Sequence, residues 1–178
     1  MIKRFSLSFL LLAVAISTAS TSPRVSRGSL AAMEKSLDAR VNGLWADNPF
    51  LLIGNTRGVY LDGVGAIFTA EVNLAIGPTS MMHPTATKDE VVKHHQKKLE
   101  RLPQLKKALI DSMIPMATSL DVPADEQIVM VVFLWRYPWE DTTNIPAQIT
   151  MQAKKKNLLD AQRAGGAGLE QAIKVVEN

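Results

Sequence analysis

Ala66-Ile67-Phe68-Thr69-Ala70-Glu71-Val72-Asn73-Leu74 is the stretch that decides the fold. Ala66, Phe68, Ala70, Val72 and Leu74 fall on one side of an extended chain, and Ile67, Thr69, Glu71 and Asn73 on the other. Successive strand side chains point to opposite faces, so this alternation predicts a strand with one buried and one more polar face. Two apolar runs precede it, Phe50-Leu51-Leu52-Ile53 and Val59-Tyr60-Leu61. Turn chemistry separates the runs at Gly54-Asn55-Thr56-Arg57-Gly58 and at Asp62-Gly63-Val64-Gly65. Three extended runs joined by short turns predict an antiparallel meander.

Helical signals lie on either side. Upstream, Leu30, Met33, Leu37, Val41 and Leu44 recur at helical spacing from Ser29, and Asn42-Gly43 supplies a stop. Downstream, Gly77 to Thr85 reads as a loop, and Thr87 with Glu90 forms a capping-box pattern. The helix that follows carries Val91, Val92, His95, Leu99 and Leu102 near one face; Pro103 interrupts it or opens the next helix, and Leu105, Leu109, Met113, Met116 and Leu120 continue the stripe with a kink expected at Pro115. Ile128 to Trp135 is a valine-rich apolar run, which predicts a central strand covered on both faces. Gln148 to Lys154 alternates again, with one wet face. Lys155 to Arg163 reads as a short helix. Ala164-Gly165-Gly166-Ala167-Gly168 reads as a hinge, and Leu169, Ala172, Ile173 and Val176 as a last amphipathic helix. The class is therefore α+β: a single, mainly antiparallel sheet of about five strands packed by helices.

The N-terminus sets an expectation of address. Lys3 and Arg4 precede an apolar stretch from Phe5 to Ile16, and Ser17-Thr18-Ala19 ends it with small residues. A basic start, a short apolar core and a small-residue exit make a signal peptide over residues 1–19, cleaved near Ala19. The core is shorter than the roughly 20 residues of a membrane span. A flexible arm over 20–28, one α+β domain over 29–163 and a hinge with a short helix over 164–178 complete the organisation. Without the leader the chain carries 18 basic and 17 acidic side chains, a net charge of +1, which disfavours nucleic acid as a partner. The 178-residue chain has no cysteine, which excludes thiolate chemistry and disulfides and fits a bacterial protein that is periplasmic or secreted.

Motifs for chemistry are sparse. In Asp62-Gly63-Val64-Gly65 the third glycine of a dinucleotide loop would fall at Phe68, and a strand follows instead of a helix, so no phosphate cradle and no cofactor are expected. Glu90, His94 and His83 are candidate metal ligands, with Met81 and Met82 beside them suiting copper, although adjacent His94 and His95 diverge on a helix. On this spacing His95 is placed at the core edge and His94 in solvent. Glu71, Glu140 and Asp141 are candidate acid–base carboxylates for a small hydrolase. Arg57, Arg136, Trp135, Tyr137 and Trp139 are candidate binding residues at a shared sheet rim. Lys93, Lys97, Lys98, Arg101, Lys106 and Lys107 read as a solvated basic helix face.

Gly58-Val59-Tyr60-Leu61-Asp62-Gly63-Val64-Gly65-Ala66-Ile67-Phe68-Thr69-Ala70-Glu71-Val72, with Trp139-Glu140-Asp141 and Gln148-Ile149-Thr150-Met151-Gln152-Ala153, resembles a family of uncharacterised exported bacterial proteins. The resemblance implies a shared fold and an exported location, and no activity comes with it. The expectation is a non-enzymatic binding or assembly domain, with a protein or small-molecule partner or a second copy in a homodimer. The alternatives are a periplasmic hydrolase using the carboxylates and a metal-handling protein using methionine and histidine.

Overall fold

Residues 25–45 and 51–178 are described by the structure, a computed structural model. The leader expected at 1–19 and most of the arm at 20–28 lie outside them. The order is α1 (Arg27–Asn42), β1 (Leu51–Leu61), β2 (Gly65–Asn73), α2 (Lys88–Ser119), β3 (Gln127–Leu134), β4 (Gln148–Lys154), α3 (Lys155–Arg163), α4 (Leu169–Ala172) and β5 (Lys174–Glu177). The five strands form one sheet in the order β1-β2-β3-β4-β5. Three of the four pairings are antiparallel, and β2 with β3 is parallel. A parallel pair needs a long crossover, and α2 supplies it. No described helix is long and apolar enough to cross a membrane.

The expected three-strand meander is instead a two-strand hairpin. Residues 51–61 run as one strand, with register irregularities between Leu52 and Arg57. Gly54 to Gly58 therefore bulges inside a strand and does not turn the chain. Gly58 is there for space: a Cβ on it would lie 2.6 Å from Cε1 of Phe68, whose ring fills the core beneath. Gly65 has φ +128°, and a Cβ there would lie 1.9 Å from the carbonyl oxygen of Gln127. Only glycine opens the β2–β3 pair.

One face of the sheet carries the core. Ala66, Phe68, Ala70 and Val72 of β2, Ile128, Met130, Val132 and Leu134 of β3, and Ile149, Met151 and Ala153 of β4 join Leu30, Leu37 and Val41 of α1, the apolar stripe of α2 and Leu158 of α3 in one cluster. Burial of side chains this size contributes roughly 1.5–3 kcal/mol each. β3 corrects its expected double coverage: its burial alternates, and Phe133 is 45% exposed.

α2 runs unbroken for 32 residues, about 48 Å, with Pro103 and Pro115 inside it. Thr87 and Glu90 close the capping box at its start. Its buried stripe is the expected Leu102, Leu105, Leu109, Met113 and Met116, but N-terminal to these it is His94, Lys98 and Arg101, offset from the expected Val91, Val92, His95 and Leu99. His94 is the buried histidine and His95 is half-buried, the reverse of the expectation. Lys98 and Arg101 are also buried, so the basic stretch is only partly a solvated face. At the C-terminus the expected helix ends at Ala172, and Lys174–Glu177 adds a strand to β4. Val175 and Val176 are β-branched and suit a strand.

The outer edge of β1 is covered by side chains of α1. Oε1 of Glu34 accepts the Gly58 N–H at 2.7 Å, and Oδ1 of Asp38 accepts the Thr56 N–H at 2.9 Å and the Thr56 hydroxyl at 2.5 Å. Residues four apart on a helix rise about 6 Å, and residues two apart on a strand about 6.6 Å, so the carboxylates match the amides. Arg27 clamps Glu34 at 2.5 Å and reaches the Gly58 carbonyl at 3.2 Å. A free strand edge invites pairing with another chain, and here α1 occupies it.

Candidate functional site

The densest polar cluster joins α2 to the loop after β3. Nζ of Lys98 donates to Oε1 and Oε2 of Glu140 at 2.6 and 2.7 Å and to the Trp135 carbonyl at 2.9 Å. Nε2 of His94 lies 3.1 Å from Oε1 of Glu140. The Lys98 and Glu140 side chains are each 1% exposed. Tyr137 and Trp139 stack at 5.1 Å, with the His94 ring edge-on to both. The Tyr137 hydroxyl accepts from Nδ2 of Asn73 at 2.9 Å and from the Gly77 N–H at 3.3 Å. A Cβ on Gly77 would lie 2.7 Å from the Trp139 ring, so its bareness admits the stack.

Burial works against the Glu140 carboxylate, yet the hydrogen bonds from His94 and Lys98 outweigh it and hold the carboxyl below its usual range. Burial lowers the Lys98 ammonium, opposed by Glu140. All three ammonium donors are spent inside the protein. The cluster fastens the 135–146 loop to α2 and offers no open position to a substrate.

The candidate carboxylates are not brought together. Glu71 lies on the sheet face away from the helices, paired with Phe133, whereas Glu140 meets α2 on the helical face. Asp141 is exposed, and its Oδ1 accepts the Thr143 N–H at 2.9 Å. The candidate metal set divides as well. His83 pairs with Glu90 at 3.2 Å, while His94 is turned to Glu140. Among the described residues no group of three or more His, Cys, Asp or Glu side chains is arranged to hold a metal.

The candidate binding residues divide between faces. Arg57 sits on the helix-free face opposite Thr69, and Trp135 is 41% exposed beyond the end of β3. Tyr137 and Trp139 are packed against His94. Arg136 donates to the Ile145 carbonyl at 2.6 Å.

Sequence reading missed two features. The first is a carboxylate at the β1–β2 hairpin. Oε1 of Glu126 accepts the Gly63 N–H at 3.0 Å and the Tyr60 hydroxyl at 3.3 Å, while its Oε2 is buried without a partner. Burial and the hydrogen bond to Glu126 push the Tyr60 hydroxyl up to about 12. No local motif joins residues so far apart in sequence.

The second is the helix-free sheet face itself. Strand register lays out its rows: Val59, Ile67, Val129, Gln152 and Lys174 in one, and Arg57, Thr69, Val131, Thr150 and Val176 in the next. Glu71, Phe133 and Gln148 form a third. The β1–β3 part is mainly apolar and the β4–β5 part mainly polar. No described helix lies on this face. Its signal was in the sequence, in the odd-numbered residues of the β3 run. No family model, curated protein or solved structure matches the chain.

Proposed function

We propose that this chain is an exported bacterial binding domain without catalytic chemistry of its own, and that it pairs with a second copy of itself through the helix-free face of its sheet. One observation carries the reading. Val59, Leu61 and Phe133, all on that side, are each between 45% and 48% exposed, and they lie beside Ile67, Val129 and Val131. A contiguous apolar patch of this kind marks an interaction surface.

The shape of the face argues for its occupant. A flat sheet is best covered by another sheet, about 10 Å away, as in two-sheet sandwiches. Five strands of about eight residues present a flat area of roughly 600 Å², before side chains add relief. Stable interfaces bury about 800 Å² on each partner, so the whole face is the right size and no smaller part of it suffices. The charged and amide groups on it, Arg57, Glu71, Gln148, Gln152 and Lys174, lie around the apolar rows as a polar rim lies around an interface core. The leader-like residues 1–19 support export, and the internally spent Lys98–Glu140–His94 cluster supports a role without catalysis.

Sedimentation equilibrium of the purified protein tests the reading. A dimer is expected, and Phe133→Glu or Val59→Lys should convert it to a monomer with unchanged circular dichroism. A wild-type protein that stays monomeric throughout the accessible concentration range would overturn it.

A further inference from the structure

The methionines among the described residues fall into two groups. Met113, Met116, Met130 and Met151 are at most 2% exposed and fill the core, and Met33 packs against it. Met81 and Met82 are 100% and 95% exposed. A thioether in water gains nothing from burial, so this adjacent pair has no packing role.

The pair sits on a closed turn. The Ser80 N–H donates to the His83 carbonyl at 2.8 Å, and the His83 N–H donates to the Ser80 carbonyl at 3.1 Å and to Oγ of Ser80 at 3.1 Å. Met81 and Met82 are its two corner residues, and His83 follows directly. The four Cα atoms of such a turn lie within about 7 Å. Each unpacked methionine has three rotatable side-chain bonds with which to bring its sulfur to the imidazole.

The imidazole is already oriented. Nε2 of His83 lies 3.2 Å from Oε2 of Glu90. That same oxygen accepts the Thr87 N–H at 2.8 Å and the Thr87 hydroxyl at 2.9 Å, so the carboxylate is fixed at the start of α2. With Nε2 turned to the Glu90 carboxylate, Nδ1 is the ring nitrogen left for a ligand. Nδ1 has no hydrogen bond among the described residues. A carboxylate that takes the far N–H of an imidazole is the usual outer partner of a metal-binding histidine.

We propose that the Ser80–His83 turn is a binding site for Cu(I), held by the sulfurs of Met81 and Met82 and by Nδ1 of His83, with Glu90 as the positioning residue. Two neutral thioethers and an imidazole are soft donors, which select Cu(I) over the hard cations that want carboxylate oxygen. The site is independent of the sheet face and of the dimer.

Competition of the purified protein against a chromogenic Cu(I) chelator under anaerobic, reducing conditions tests the site. One equivalent of Cu(I) is expected, with X-ray absorption showing two sulfur neighbours and one nitrogen neighbour. Met81→Leu with Met82→Leu should remove the binding, and exposure this high means that the double variant keeps its fold. Glu90→Gln should weaken binding by about 10- to 100-fold, while Met33→Leu should leave it unchanged. Failure of the wild type to take Cu(I) from the chelator, or equal affinity in the double leucine variant, would overturn the assignment.

Discussion

Lys98 and Glu140 form a buried two-point ion pair, with Nζ 2.6 and 2.7 Å from the two carboxylate oxygens, and no other residue pair ties α2 to the 135–146 loop as closely among those described. Removing one partner leaves the other charge buried and unpaired. Lys98→Met or Glu140→Gln should each cost about 3–5 kcal/mol, and the Lys98→Met/Glu140→Gln double variant clearly less than the two costs added together. Urea unfolding of the four proteins measures this coupling. Additive losses would mean that the pair is not a unit.

Acid should unfold the protein through a defined set of carboxyls. Glu34, Glu90 and Glu140 all sit below their ordinary value of 4.5, and Asp141 below its 3.8. A group depressed in the folded state contributes stability that is fully present above its unfolded pKa and lost as pH falls through the folded value. Stability should therefore be flat from neutrality to about pH 5 and decline below it. Chemical denaturation at a series of pH values reads this directly. Glu140→Gln should have a shallower decline in acid than the wild type.

The α1 carboxylates guard a strand edge, and their removal should show as association. Glu34→Ala with Asp38→Ala strips the partners from the Gly58 and Thr56 amides. Each unsatisfied group costs about 1–3 kcal/mol. Light scattering during mild heating should rise earlier in this variant than in Lys35→Ala, a control on the exposed side of α1. Equal behaviour would mean that water replaces the carboxylates without exposing a usable edge.

Gly65→Ala should abolish folding, because the added Cβ meets the Gln127 backbone in a conformation that alanine also resists. Gly63→Ala, at φ +76° with open space around it, should cost only its backbone strain of about 1–2 kcal/mol. Thermal unfolding of the two soluble fractions separates them.

Much of the fold was legible and less of the site. Period-two alternation located β2 and β4, and the capping box at Thr87 and Glu90 located the start of α2. Gly54 and Gly58 misled, because glycine in a bulged strand and glycine in a turn look alike in sequence. β5 was hidden because Leu169 to Val176 has helical spacing, while its pairing with β4 is a long-range contact. The buried stripe of α2 was placed rightly from Leu102 onward and misplaced in its N-terminal half, because apolarity was used to find it and that half buries His94, Lys98 and Arg101. Charged residues go inside only with partners, and the partner of Lys98 lies 42 positions away. The same limit kept Glu71 and Glu140 together as candidates, since sequence does not reveal that they lie on opposite faces of one sheet.

The central claim, pairing through the helix-free face, is tested most directly by thiol labelling. The chain has no cysteine of its own, so one introduced cysteine reports alone. Thr69→Cys places it in the middle of the face, and Lys107→Cys on the outer side of α2 serves as reference. Labelling of Thr69→Cys should slow as protein concentration rises, while Lys107→Cys keeps a constant rate. Concentration-independent labelling at both positions would contradict the account.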